Sequence, residues 1–404
     1  MKKLVGLRPK TLEIHGGGSL QDRELRQSVQ RVVAFPLGSP QRAQRLFDGK
    51  ENGFIYTRIN NPTVGRLEDK IAAMEEAEAG LVTSSGMSAI RLVAEYLAYS
   101  RGQIISSNKL YGGTFHLFQK FLPQLGIHTN FITDPHKSDD WKLGIMKALT
   151  KHGSPQIIDA PKFMYVETPS NPLVDIFDIQ RLAQIAHKNK LLLVVDSTLA
   201  TPALLNPIKL GADIVIHSLS KYMGDGEVIG GIILGKKTLI DDMRNGWFRE
   251  TGPCISPDNA AILSYHIESL FGRMAEHCRN AELVAKFLAN HKKVKKVFYP
   301  TQGPRAKENR KLMPKGFGGL MAFEVGGGQK SAWNVLKSLK LFWHAANIGE
   351  SRSLVIHPAT TTHGKIPEHD RLAAGITNGM LRLSIGREDP TDLIDDLNQA
   401  LKKI

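Results

Sequence analysis

Cysteine is nearly absent: the 404 residues hold two, Cys254 and Cys278. One such pair makes no disulfide framework and fits no metal-ligand spacing, so neither a stapled secreted fold nor a metal centre is expected. Long apolar runs are missing too. None approaches the roughly eighteen residues that a membrane span requires, and the charged start Met1–Lys10 has too short an apolar stretch for a signal peptide. The expectation is a cytoplasmic protein. Acidic residues are outnumbered, 39 against 53 Lys and Arg, for a formal charge of +14. The basic residues are nevertheless spread along the chain, and the densest patch, His291–Lys296, has no interleaved aromatics. Nucleic acid is therefore not expected as a partner; a generally basic surface that attracts anionic small molecules accounts for the charge. No Gly-x-Gly-x-x-Gly turn with an acid some twenty residues on is found, which argues against a nicotinamide-dependent dehydrogenase. Internal repeats and low-complexity segments are also lacking.

What is present is ordinary globular composition, 42% hydrophobic and 23% charged, in a chain long enough for two domains. The organising stretch is His217-Ser218-Leu219-Ser220-Lys221. Before it, Ala212–Ile216 reads as a short buried strand, and after it Gly230–Gly235 reads as another. Lys221 then sits on a loop flanked by two hydroxyls. Taken alone, Ser-x-Ser-Lys reads as a solvated loop lysine. A second stretch argues otherwise: Leu191–Asp196 is a buried strand ending in a carboxylate, a short crossover upstream. Pyridoxal phosphate (PLP) needs both parts, a lysine for its aldehyde and an acid that keeps its pyridine nitrogen protonated.

In chain order, residues 1–60 lack sustained periodicity and read as an extended arm with one short helix near Leu25–Gln30. Without a core of its own, the arm is expected to pack on the body or on another subunit. An amphipathic helix follows over Val64–Glu78. Gly80–Ile90 reads as strand, Ser-Ser-Gly turn and helix start, a natural phosphate site because the first N–H groups of a helix are free. Strands at 103–106, 127–132 and 163–167 alternate with helices at 113–125 and 179–189. That pattern predicts an α/β fold with a mostly parallel sheet covered by helices, whose ligands bind beyond the carboxyl ends of the strands. Glu167, Asp196 and the Ser218–Lys221 loop all fall there. A boundary is expected near Pro253–Pro257. A long, bent helix over Asp258–Asn290 should follow it, and then a smaller α+β domain with strands at 297–299 and 319–325.

Several motifs occur in one order: Tyr56-x-Arg58-x-x-Asn61-Pro62-Thr63, Ser85-Gly86-Met87, Tyr111-Gly112-Gly113-Thr114, Glu167-Thr168-Pro169-Ser170-Asn171-Pro172, Val195-Asp196-Ser197-Thr198, His217-Ser218-x-Ser220-Lys221, His357-Pro358-Ala359 and Arg382-Leu383-Ser384-Ile385-Gly386. Together they resemble the Cys/Met-metabolism family of PLP-dependent enzymes, of fold type I, from about residue 50 to the C-terminus. The resemblance implies an N-terminal arm (1–60) contacting a neighbouring subunit, a PLP-binding large domain (61–255) and a C-terminal small domain (256–404). It implies that Lys221 is the Schiff-base lysine and proton shuttle, that Asp196 holds the pyridinium proton and that Tyr111 stacks on the ring. Gly86, Met87, Ser218 and Ser220 would bind the phosphate, and Asn171 would bond near the ring oxygen. Arg382 with Ser353 would clamp the substrate α-carboxylate. Tyr56 and Arg58 would complete the site of a neighbouring subunit, in a homotetramer of active-site-sharing dimers.

Within the family, methionine γ-lyases typically have cysteine where this chain has Gly113. Lyases and cystathionine synthases usually read Gly-Gly-x-Glu-Ser-Leu, where this chain has Gly349-Glu350-Ser351-Arg352-Ser353-Leu354. The stretch to Gly364 resembles the O-acetylhomoserine and O-succinylhomoserine sulfhydrylases of methionine biosynthesis. The implied reaction is γ-replacement: an O-acylhomoserine takes sulfide or a small thiol and gives homocysteine and the free carboxylate. The alternatives are a cystathionine γ-synthase or γ-lyase and, from another class, a non-catalytic scaffold. Three departures from the family pattern stand out: Ser220 in place of threonine, Tyr265-His266-Ile267 in place of Arg-Gly-Leu, and Met223–Glu227 after the lysine.

Overall fold

Alternation of side chains explains why the strands around the lysine form where they do. In the 163–166 stretch, Phe163 and Tyr165 are buried on one side of the sheet, Met164 and Val166 on the other. Val194 likewise faces one apolar cluster while Leu193 and Val195 face the opposite one. A strand buried on both faces reads as a continuous apolar run, and each such side chain contributes about 1.5–3 kcal/mol by burial.

The computed structural model describes residues 7–18, 28–99, 102–150, 160–365 and 367–404. Strands β1 (Ala79–Thr83), β2 (Gln103–Ser107), β3 (His128–Ile132), β4 (Pro161–Glu167), β5 (Leu192–Asp196), β6 (Ile214–Ser218) and β7 (Gly231–Gly235) form one sheet, in the order β1-β7-β6-β5-β4-β2-β3. From β3 to β6 every pair is parallel, whereas β7 runs antiparallel to both of its neighbours. The reversal follows from the 219–230 connection, which contains no helix to carry the chain back for a parallel return.

Helices α1 (Pro9–His15), α2 (Pro40–Phe47), α3 (Pro62–Glu75), α4 (Gly86–Ala98), α5 (Gly112–His116), α6 (Ser138–Thr150) and α7 (Ile179–Lys188) accompany this sheet. Leu67 and Ile71 of α3, Trp141 and Ile145 of α6 and Leu182 of α7 share the apolar cluster on one face. Ala89, Ile90 and Val93 of α4 lie in the cluster on the other. A second sheet holds β8 (Val294–Phe298), β9 (Leu320–Val325), β10 (Trp343–His344), β11 (Leu354–Ile356) and β12 (Met380–Ser384), in the order β10-β11-β12-β9-β8. Strand β12 is central and buried throughout. Strand β8 lies at the edge with Lys295 and Lys296 exposed, a placement that discourages pairing with another chain.

The arm is more structured than expected. It contains α1, which packs on α3, and α2, which Ser39 caps by accepting the Arg42 N–H. Of the helix expected over Leu25–Gln30, residues 25–27 lie outside the described residues, and 28–30 are not helical. Helix α6 fills a stretch to which no element was assigned. The long helix expected over Asp258–Asn290 is two helices, Pro257–Ile267 and Leu270–Ala289, broken at Glu268–Ser269. Among the described residues no helix is long and apolar enough to cross a membrane.

Candidate active site

The carboxyl ends of β4, β5 and β6, the start of α4 and the middle of β12 open on one cavity of about 260 Å³. Its wall includes Gly86, Met87, Tyr111, Glu167, Asn171, Asp196, Ser218, Ser220, Lys221 and Arg382.

Lys221 owes its position to apolar anchors on either side. Leu219 and Tyr222 are fully buried; Leu219 donates its N–H to the Gly230 carbonyl (3.0 Å), and the Tyr222 hydroxyl accepts the Gly319 N–H (2.8 Å). The lysine between them turns into the cavity, largely out of water. Its pKa is pushed down to about 8, first by burial and then by the Arg382 charge, while Glu350 acts in the opposite sense. An amine in that range is neutral often enough to act as a nucleophile and base.

Strand register sets two carboxylates side by side, because Glu167 is the cross-strand partner of Asp196. Asp196 accepts the Thr198 N–H (3.0 Å), and burial raises its pKa. Burial, and then the Asp196 charge, hold the Glu167 pKa well above the usual carboxylate range; like charges in one dry site cannot both ionise. Glu167 Oε2 accepts the Tyr111 N–H (2.7 Å), which fixes the start of α5.

The α4 N-terminus is drawn tight against the sheet. Ser85 caps it by accepting the Ser88 N–H (3.1 Å), leaving the first amides free. A Cβ on Gly86 would come 2.7 Å from Ser218 Cβ, and one on Gly231 would come 2.3 Å from the Ser85 carbonyl oxygen. Only glycines allow this approach, and it brings the Gly86 and Met87 amides and Ser218 into one wall. The Ser220 hydroxyl is already engaged, accepting the Gly230 N–H (3.0 Å).

Arg382 is 3% exposed, and burial lowers its pKa to about 10. Its Nη1 donates to Asn171 Oδ1 and its Nη2 to the Asn347 carbonyl, both at 3.2 Å, while Nε is buried without a partner. Among the described residues no carboxylate pairs with it. A buried guanidinium left this way is a receptor for an incoming carboxylate.

Ser353, expected at the substrate clamp, is not in the cavity wall, and Tyr56 and Arg58, expected in a neighbouring subunit's site, lie outside this chain's own cavity. Ser353 is buried, but its hydroxyl donates to Glu388 Oε2 and accepts the Gly386 N–H, both at 2.8 Å. Its hydroxyl thereby braces the turn below β12. Tyr56 and Arg58 lie on the surface, where the guanidinium stands 5.6 Å from the tyrosine ring centroid and donates to the Arg249 carbonyl. Arg352 stacks 5.7 Å from the exposed Trp343 ring, outside the wall. His357 is structural: its Nε2 donates to the Asn378 carbonyl (3.0 Å) and its Nδ1 accepts from Thr360 (2.8 Å). Conversely, Asn347 and Glu350 stand directly behind Lys221 and were not expected there. Their one signal is a polar Asn-Ile-Gly-Glu turn in place of an apolar run.

The donor set fits PLP: an amine for the aldehyde, an acid for the ring nitrogen, and a glycine-lined helix start with a hydroxyl for the phosphate. The unpartnered Arg382 N–H suits an amino-acid carboxylate. Residues 10–402 match the sequence pattern of the Cys/Met metabolism PLP-dependent enzymes. An L-methionine gamma-lyase of Fusobacterium nucleatum subsp. polymorphum is 38% identical over 384 residues, 94% of either chain. An O-succinylhomoserine sulfhydrylase of Pseudomonas aeruginosa is 36% identical, covering 89% of this chain and 86% of its own. A Campylobacter jejuni structure provisionally assigned as O-acetylhomoserine (thiol)-lyase superposes with a TM-score of 0.90 at 33% identity. It covers 98% of this chain and 100% of its own, and carries N'-pyridoxyl-lysine-5'-monophosphate. Overall identity thus sets γ-lyases and sulfhydrylases side by side and does not favour the sulfhydrylase expectation.

Proposed function

This chain belongs to the Cys/Met-metabolism family of PLP-dependent enzymes, and from that premise we propose that it catalyses γ-replacement on an O-acylhomoserine, acetyl or succinyl, with sulfide or a small thiol. Bound PLP supplies the electron sink that stabilises negative charge on substrate carbons. Lys221 takes a proton from Cα, passes it on to the bound cofactor and, neutral again, takes one from Cβ. The acyl carboxylate leaves Cγ with its bonding pair, sulfide brings its own pair to Cγ, and Lys221 returns a proton to each carbon. Arg382 holds the α-carboxylate so that these carbons face the lysine. Asp196 would keep the ring nitrogen protonated, Tyr111 would cover the ring, and Asn171 would bond near the ring oxygen. The Gly86 and Met87 amides and the Ser218 hydroxyl would hold the phosphate, with Ser220 bracing that wall through Gly230.

The observation that carries the choice of replacement is Gly113. A Cβ there would come 2.4 Å from Tyr111 Cε1, so the ring occupies the space a larger residue at 113 would take. Neither cysteine is in the cavity wall. The 38% identity to a methionine gamma-lyase favours a second reading, γ-elimination. Comparing kcat/KM for O-acetylhomoserine and O-succinylhomoserine with sulfide, for each ester with cysteine, and for methionine and cystathionine alone tests the choice. The proposal requires an ester with sulfide to lead by at least about tenfold; methionine or cystathionine in front would make the protein a γ-lyase, and cysteine in front a cystathionine γ-synthase.

The same reading gives Tyr56 and Arg58 a recipient, the phosphate end of a second copy's cavity. The arm supports it: Val33, Phe47 and Phe54 are 62%, 54% and 40% exposed there, apolar surface that a partner would cover. A homotetramer built from such dimers is the proposed assembly.

A further inference from the structure

Lys221 is held from behind. Its Nζ donates to Asn347 Oδ1 (2.6 Å), and Asn347 Nδ2 donates in turn to Glu350 Oε1 (2.6 Å). Asn347 also accepts, at its main-chain carbonyl, the bond from Arg382 Nη2 (3.2 Å). One residue therefore touches both the proton carrier and the carboxylate receptor. The turn presenting it is rigid. Gly349 has φ +82°, and a Cβ there would meet the Tyr222 nitrogen at 2.6 Å. Its N–H donates to Ser384 Oγ (3.0 Å), and Ser351, two positions on, donates from its N–H to Asp225 (2.6 Å). Gly226 has φ +77° and packs on Glu350. The loop that carries the lysine and the turn behind it thus form one packed unit.

We propose that Asn347, oriented by Glu350, is a positioning residue that receives the Lys221 amine whenever it is free and keeps it in register with Arg382. The chemistry of the three groups requires this arrangement. A carboxylate only accepts, so Glu350 turns the amide NH₂ toward itself and leaves the amide oxygen facing the lysine. An amide oxygen holds the amine without supplying a charge of its own, so the lysine can still lose its proton and act as a base. The shared backbone carbonyl fixes the distance between base and clamp, on which substrate alignment depends. For its kinetic consequence the proposal rests on the γ-replacement reading; for its effect on the lysine it does not.

The charged and titratable groups facing Nζ are Glu350 on this turn and Arg382 on β12. Asp196, Glu167 and the Tyr111 phenol share the same cavity wall. Glu350 raises the lysine pKa and Arg382 lowers it. The test is PLP uptake by the full-length protein after cofactor removal, followed by absorbance across the neutral-to-alkaline range. Uptake quickens as the amine loses its proton. Glu350→Gln removes the anion behind the amide and should move the midpoint to lower pH by about one pH unit. Asn347→Asp sets a carboxylate directly on the amine and should move it to higher pH by a similar amount. Both changes are nearly isosteric, and circular dichroism verifies folding. Opposite displacements are not the signature of a merely structural residue. In the γ-replacement assay, Asn347→Ala should lower kcat roughly ten- to hundredfold with little change in KM. Unmoved midpoints in both variants would overturn the proposal even if homocysteine forms normally. Displaced midpoints in a protein that makes no homocysteine would leave the positioning role standing and remove the substrate assignment.

Discussion

Replacing Arg382 by leucine should separate stability from activity. In the folded chain the guanidinium is 3% exposed and its two hydrogen bonds are long, 3.2 Å each. Losing them costs about 0.5–1.5 kcal/mol apiece. Against that, the substitution removes a buried charge with no carboxylate partner, which itself costs several kcal/mol. The net effect on unfolding is therefore near zero or stabilising by about 1–2 kcal/mol. Activity should behave oppositely. Two charge-assisted bonds to a substrate carboxylate contribute about 1.5–3 kcal/mol each, so kcat/KM should fall roughly 10²- to 10⁴-fold. A third effect has a definite sign. Arg382 helps hold the Lys221 pKa down near 8, so without it the amine keeps its proton to higher pH. The rising limb of the pH–rate profile must then move in the alkaline direction. Thermal unfolding of the full-length protein, with kcat/KM for O-acetylhomoserine and with kcat across pH, where the amine is free in the substrate complex, measures all three. A large drop in melting temperature with activity falling only in proportion would refute the reasoning, as would an unchanged kcat/KM.

Asp196→Asn keeps an oxygen for the Thr198 N–H but loses the charge opposite a pyridinium. The fold should persist while kcat falls roughly 10²- to 10³-fold, the cost of breaking a buried ion pair; a variant of undiminished kcat would remove Asp196 from that role. Mixing Lys221→Ala with Arg58→Ala subunits should restore activity that neither has alone, because in mixed dimers one cavity receives both an intact lysine and an intact arginine. No recovery in verified mixed dimers would rule out the shared site.

The parts of this molecule legible from sequence are those fixed by local pattern. Lys221 and Asp196 stand at the ends of apolar strands, and a parallel sheet places such ends together whatever the rest of the chain does. The Gly86 turn was visible because a strand, small residues and a helix start follow one another directly. The antiparallel return of β7 was not read, although the 219–230 connection is too short to hold the helix a parallel return needs. Helix α2 was missed although Ser39-Pro40 is a cap followed by proline at the first helical position; without a long apolar stripe the pair reads as loop punctuation. Asn347 and Glu350 were out of reach for another reason. Asn347 meets Lys221 across 126 positions, and only the packing of the second sheet against the lysine loop creates the contact. Ser353 shows the converse: the resemblance that pairs it with Arg382 carries no sign that its hydroxyl is bonded to Glu388.

Running the reaction in deuterium oxide tests the central claim most directly. If Lys221 takes protons from both carbons and returns them during γ-replacement, homocysteine made from O-acetylhomoserine and sulfide will carry deuterium at Cα and at Cβ. The Lys221→Ala protein will make none. Homocysteine with hydrogen only at Cβ would mean direct displacement at Cγ. Release of a keto acid without sulfide incorporation would mean elimination. Either result contradicts the account.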